Sequence, residues 1–250
     1  MAGNTTTMDS PSWLKPSTPP RLSSGEVHIW RAALDVDPPT IVELEKTLSS
    51  DELDRAREFH FSVHANRFKT ARGILRKILA SYFPKAKHEI SFSQNDCGKP
   101  FLAADFPSGG LRFSVSHSQG VALYAFALGR EVGIDLEYVR PEKIDLHLAK
   151  RFFSTKEIAD INASSENLRT EKFFHCWTRK EAYAKARGMG LSLALSSFSV
   201  PLDACLYTPM LIDGAEDPSW WVAALEPCEG YVGAIVTECP FITLKLWQWR

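Results

Sequence analysis

The chain reads as an α+β protein of two pseudo-symmetric halves, each a small antiparallel sheet packed with a long helix. Three observations predict this. Residues 26–129 and 130–250 both run strand, helix, strands. Each half holds one long stretch with apolar side chains at helical spacing. The strand signals come in neighbouring pairs joined by short, breaker-rich connections, which is the grammar of hairpins. No strict sequence repeat relates the halves, so the symmetry is expected in architecture alone.

Residues 1–25 are rich in Thr, Ser and Pro and form an expected disordered N-terminal extension. Order is expected from Glu26-Val27-His28-Ile29-Trp30, an alternating strand pattern. Ser50-Asp51-Glu52 resembles a helix start with acidic residues in its first turn. A longer helix is predicted over 64–82, where Phe68, Ala71, Leu75, Ile78 and Leu79 recur at helical spacing and Pro84 marks the end. A short strand is predicted over 89–92, then a turn over 95–100. Residues 111–116 and 121–128 should form a hairpin, with His117-Ser118-Gln119-Gly120 as its connection. The boundary between halves falls near Gly129-Arg130.

The second half opens with a strand over 132–139. Helices are predicted over 146–163 and 169–187, the latter stopped by Gly188 and Gly190. Strands should follow near 198–200, 220–225, 231–236 and 242–247.

Composition narrows the function classes. The formal net charge is −1, so no global basic field favours nonspecific nucleic-acid binding. Cys97, Cys176, Cys205, Cys228 and Cys239 form no CxxC pair. That spacing argues for reduced thiols in a cytoplasmic protein, rather than a zinc site or disulfide framework. No run approaches the ~20 apolar residues of a membrane span, and residues 1–20 lack the apolar core of a signal peptide. A soluble cytoplasmic protein with neither membrane nor nucleic acid as partner is expected.

Two segments carry candidate chemistry. On Gly133-Ile134-Asp135-Leu136-Glu137, strand alternation puts Asp135 and Glu137 on one face and Ile134 and Leu136 on the other. Two like charges side by side call for a cation or a proton. Magnesium takes one or two carboxylates with phosphate oxygens and water; a solvated polar strand face is the plain alternative. In the helix, Trp177, Glu181 and Lys185 follow at i, i+4, i+8, nearly one face. Glu181 there is either half of a surface Glu–Lys pair or a carboxylate at a metal–phosphate site. Lys99 in a rigid turn, Ser116-His117 at a strand end, and Arg67 on the first long helix could supply phosphate donors. Each taken alone also suits an ordinary turn or surface.

Taken together these segments resemble the 4′-phosphopantetheinyl transferases of the surfactin-synthetase-activating (Sfp) type. The matching pieces stand in the family's order: Gly98-Lys99-Pro100, Phe113-Ser114-Val115-Ser116-His117-Ser118, Val132 to Glu137, Arg151-Phe152-Phe153-Ser154-Thr155-Lys156-Glu157, Trp177 to Lys185, and Gly188-Met189-Gly190-Leu191. The resemblance covers residues 27–250. It implies a monomer with coenzyme A bound in a cleft between the halves. It also implies magnesium-dependent transfer of the phosphopantetheine arm to a serine of an apo acyl or peptidyl carrier protein. Asp135, Glu137 and Glu181 match the magnesium-binding carboxylates. Lys185 matches the lysine on the pyrophosphate. Lys99, Ser116 and His117 match coenzyme A contacts, His117 near the 3′-phosphate. Arg67 matches the arginine of the 3′-phosphate pocket, and Arg55 sits where the family often has a basic residue. Glu52 departs from relatives that carry a lysine there. The base that takes the serine proton is Glu181, Glu157 or a metal-bound water, and the residues do not choose among them.

Two other readings share these residues. A magnesium-dependent hydrolase would use the same carboxylates with water as acceptor. A non-catalytic interaction protein would have been free to lose Asp135, Glu137, Glu181 and Lys185, and all four are present. Fatty-acid, polyketide and peptide-synthetase carriers remain equal candidates as acceptor. Phe152, Phe153, Met189 and Leu191 are candidate apolar contacts for it, with ordinary core as the alternative for the two phenylalanines.

Overall fold

A computed structural model describes residues 12–18, 20–84, 89–140, 146–202, 207–212, 215–240 and 243–250. The first half contains strand β1 (Glu26–Ala33), helices α1 (Pro38–Glu45), α2 (Ser50–Arg57) and α3 (Ser62–Tyr82), and strands β2 (Phe92–Gln94), β3 (Pro100–Leu102), β4 (Leu111–Ser118) and β5 (Val121–Leu128). The second contains β6 (Val132–Tyr138), α4 (Leu146–Phe152), α5 (Thr155–Ala163), α6 (Glu166–Arg187), β7 (Thr208–Ile212), β8 (Ala215–Leu225), β9 (Tyr231–Glu238) and β10 (Thr243–Gln248).

The halves share one topology. In each, a first strand is followed by a long helix and a hairpin, and the second hairpin strand pairs antiparallel with the first strand. The pairings are β1 with β5 and β5 with β4, then β6 with β9 and β9 with β8. α3 covers the outer face of the first sheet, where Ala71, Ile74, Leu75, Ile78 and Leu79 meet Trp30, Tyr124 and Phe126. α6 covers the second sheet, where Phe173, Phe174 and Ala182 meet Val222, Ala234 and Val236. The inner faces meet in a third cluster: Val27, Ile29, Leu123 and Ala125 against Val132, Ile134, Leu136 and Ile235. Alternating side chains thus feed two different cores from one strand, and the layers stack helix, sheet, sheet, helix.

Several expectations need correction. β10, from the chain's end, joins the first sheet parallel to β1, so that sheet is mixed, and the span 130–250 contributes to both sheets. The extension expected to be disordered is bonded where described: Leu14 N–H donates to Leu246 O at 3.0 Å, and Gln248 N–H to Leu14 O at 2.7 Å. Trp13 lies 4.8 Å from the Arg31 guanidinium. The edge of β10 offers backbone groups that pair with any suitable neighbour, and composition does not report this. Residues 1–11 lie outside the described residues. His117 and Ser118 belong to β4, leaving Gln119 and Gly120 as the hairpin turn. The stretch 146–163 breaks at Ser154, which caps α5 with Glu157. The strand near 89–92 is displaced to 92–94, no strand forms over 198–200, and α1, β3 and β7 were not anticipated. Among the described residues, no helix is long and apolar enough to cross a membrane.

Candidate active site

The site lies where two sheet edges meet. β4 borders the first sheet and β6 the second. Serines at alternate positions of β4 span the gap. Ser114 Oγ accepts the Ile134 N–H at 3.1 Å, and Ser118 Oγ accepts the Tyr138 N–H at 3.1 Å. Pleating puts Ser114, Ser116 and Ser118 on one face of β4 and sends His117 to the other. The serines satisfy donors that an edge strand leaves without a strand partner.

α6 forms the second wall because it packs unusually close to β6. A Cβ on Gly133 would stand 2.0 Å from Ala182 O and 2.3 Å from Ala186 N. Only glycine admits the helix this near, and the buried Ala182 and Ala186 keep its surface flat. Glu181 and Lys185, one helical turn apart, are thereby set beside Asp135. Lys185 Nζ donates to Asp135 Oδ1 at 2.7 Å and to Ser116 Oγ at 3.0 Å. Ser116 Oγ donates to the same Oδ1 at 2.8 Å. Ser118 Oγ donates to Glu137 Oε2 at 2.9 Å.

Negative charge exceeds positive here. Burial, then the Asp135 charge, pushes the Glu137 carboxyl above its ordinary range. Burial, then Asp135 and more weakly Glu137, does the same to Glu181. Asp135 Oδ2 and Glu181 Oε1 are buried and accept no hydrogen bond among the described residues. Orphaned buried acceptors amid mutual repulsion fit a cation. As placed, no three His, Cys, Asp or Glu side chains among the described residues stand close enough to hold a metal together. The Lys185 ammonium contacts Asp135 alone of the three, and the three carboxylates would have to draw inward around a divalent ion.

Beyond the carboxylates stand an imidazole and a guanidinium. Burial and the Lys185 charge hold the His117 imidazole below its usual range, with a smaller contribution from Arg67. His117 is thus neutral near pH 7. Arg67 reaches this side from α3, held in a two-bond fork by Asp35, with Nε to Oδ1 and Nη2 to Oδ2 both 2.7 Å.

Lys99 stands next door rather than in the cluster. Its Nζ meets Glu131 Oε2 at 2.9 Å and Ala186 O at 3.2 Å, at the C-terminal end of α6 where carbonyls favour a cation. Arg55 is on the exposed side of α2, paired with Glu58 at 2.5 Å, and among the described residues no hydrogen bond joins it to the cluster. Glu52 is buried against Arg72 and Arg76.

Glu157 requires correction as a candidate base. It is 1% exposed. Its Oε1 accepts the Val200 N–H at 2.7 Å, and its Oε2 accepts the Ser154 N–H at 2.7 Å and faces Lys180 Nζ at 2.8 Å. Lys180 spends its remaining protons on Leu195 O and Phe198 O. A carboxylate so committed staples the segment after α6 and has no approach to a substrate hydroxyl. Phe153 is likewise core, at 2% exposure, while Phe152 packs edge-on against Trp177.

Sequence reasoning missed Ser118 and the Lys180 staple. Both left signals. Alternate serines over 114–118 mark one strand face, and Ser154-x-x-Glu157 is a capping-box spacing.

Comparison with known proteins agrees with this geometry. The sequence profile of the 4′-phosphopantetheinyl transferase superfamily matches residues 131–236, which carry all three carboxylates and Lys185. The chain is 39% identical over 240 residues to the 4′-phosphopantetheinyl transferase HetI of Nostoc sp., covering 95% of this chain and 98% of that protein. It is 32% identical over 193 residues to the 4′-phosphopantetheinyl transferase Sfp of Bacillus subtilis, covering 77% and 83%. A phosphopantetheinyl transferase of Thraustochytrium sp. is 29% identical over 192 residues, covering 71% and 66%. With nearly the whole length matched and the charged cluster inside the matched region, the chain belongs to the 4′-phosphopantetheinyl transferase superfamily and is an enzyme of that class.

Proposed function

We propose that this enzyme takes the phosphopantetheine arm from coenzyme A and places it on a serine of an apo acyl or peptidyl carrier protein, releasing adenosine 3′,5′-bisphosphate. The observation that carries the reading is the juncture of Asp135, Glu137, Glu181 and Lys185 across β6 and α6. Asp135, Glu137 and Glu181 would hold magnesium, which when bound neutralises pyrophosphate oxygens and withdraws charge from phosphorus.

The chain's own groups do the rest. Lys185 sits where the pyrophosphate would lie and neutralises charge growing toward the leaving bisphosphate. His117 and Arg67, with Lys99 at the helix end, bind and orient the nucleotide portion, so that the reacting centres are held rather than found. The carrier serine oxygen bonds to phosphorus as the phosphorus–oxygen bond to the bisphosphate breaks. The serine proton needs an acceptor, and with Glu157 committed to Ser154, Val200 and Lys180, Glu181 is the carboxylate candidate left at the cluster.

The test is transfer to an apo carrier protein, read as a mass shift, with coenzyme A and magnesium. Glu181→Gln and Asp135→Ala should abolish transfer while circular dichroism stays native. Near-normal transfer by either variant would sink the assignment. Release of bisphosphate without any carrier would favour the hydrolase instead.

A further inference from the structure

We propose that Ser118 is a positioning residue that holds Glu137 ready for the cation, an inference that rests on the carboxylate reading above. The hydroxyl has one proton and two lone pairs. One lone pair takes the Tyr138 N–H at 3.1 Å. The proton goes to Glu137 Oε2 at 2.9 Å. Because the backbone donor sets the orientation of the hydroxyl, the proton is aimed at the carboxylate. Glu137 Oε2 is anchored by Ser118, and the Trp177 side chain is a second hydrogen-bond donor to the same carboxyl.

The same device recurs two residues earlier. Ser116 Oγ accepts from Lys185 Nζ and donates to Asp135 Oδ1, leaving Oδ2 without a hydrogen-bond partner. Ser114, two residues earlier again, accepts the Ile134 N–H at 3.1 Å and bonds no carboxylate among the described residues. Three serines on one strand face therefore share the work of joining β4 to β6, and two of them also orient a carboxylate. Groups that orient a ligand carboxylate from behind typically govern metal affinity by about ten- to a hundredfold.

Ser114 supplies an internal control. The experiment measures Mn2+ binding to the protein without coenzyme A, by calorimetry and by the paramagnetic resonance of free Mn2+, beside thermal melting. Ser118→Ala should weaken Mn2+ about tenfold or more. Ser118→Thr, which keeps the hydroxyl, should restore most of it. Ser114→Ala should lower the melting temperature yet leave Mn2+ affinity near that of the parent. Parental affinity in Ser118→Ala, or an equal loss in Ser114→Ala, overturns the positioning role while leaving the carboxylates as ligands. Failure of the parent protein to bind Mn2+ removes the carboxylate reading itself, and this inference with it.

Discussion

Replacing Gly133 by alanine adds one methyl group at the closest approach in the site. Its position is 2.0 Å from Ala182 O and 2.3 Å from Ala186 N, where ordinary contact begins at 3.4 Å. The obstacles are helix backbone, so no side chain can rotate away. α6 must retreat from β6 by more than an ångström. Two effects oppose one another. Glycine to alanine restricts the unfolded chain and by itself favours folding by about 0.4–1 kcal/mol. Overpacking costs about 1–3 kcal/mol, and a backbone clash belongs at or above the upper end. Destabilisation wins, by roughly 2 kcal/mol, which for a chain of this size lowers the melting temperature by about 4–8 °C. The catalytic loss should be larger. The 2.7 Å bond between Lys185 and Asp135 does not survive such a retreat, and misplacement by about 1 Å can cost about a hundredfold in rate. The assay pairs thermal melting with the carrier mass-shift rate. Ala186→Gly should fail to rescue, because the clash is with main-chain atoms. A Gly133→Ala protein that melts at or above the parental temperature and transfers at the parental rate would refute the close-packing argument.

Other outcomes follow from the same geometry. Glu157→Gln should leave transfer per folded molecule intact but destabilise the protein by about 3–5 kcal/mol, since it strands the Lys180 charge in the core; denaturant titration beside the transfer assay separates this from a role as base. Burial holds the His28 imidazole down to about 4, below an unfolded value near 6.5. The folded state therefore binds fewer protons, and its advantage is complete above pH ~6.5 and is lost as pH falls toward 4, by about 3 kcal/mol. A His28→Gln variant should show a shallower fall in melting temperature across that window, and superimposable acid limbs would contradict the burial argument. His117→Ala should raise the Michaelis constant for coenzyme A about fivefold, as for loss of a neutral hydrogen bond, with a smaller effect on the maximal rate. Donor lacking the 3′-phosphate should largely erase the difference.

Much of the site was legible because its residues lie on two regular elements. Strand alternation put Asp135 and Glu137 together, and the four-residue spacing put Glu181 with Lys185. What spacing could not provide was commitment. Glu157 carries the same carboxylate as Glu181, yet it is consumed by Ser154, Val200 and Lys180. Val200 and Lys180 lie far from it in sequence. Lys99 and Arg55 likewise found partners of their own in Glu131 and Glu58.

By itself the sequence determined most of the longer elements, their order, and which face of each is apolar, because these follow from local periodicity, caps and breakers. Tertiary structure alone decided that β10 returns to β1, that Leu14 pairs beside it, and that β4 and β6 are joined edge to edge through serines. Periodicity states which face will be covered. Which distant segment covers it depends on the competition among all exposed edges and faces for backbone partners and buried area, and that competition is settled only when the whole chain is packed.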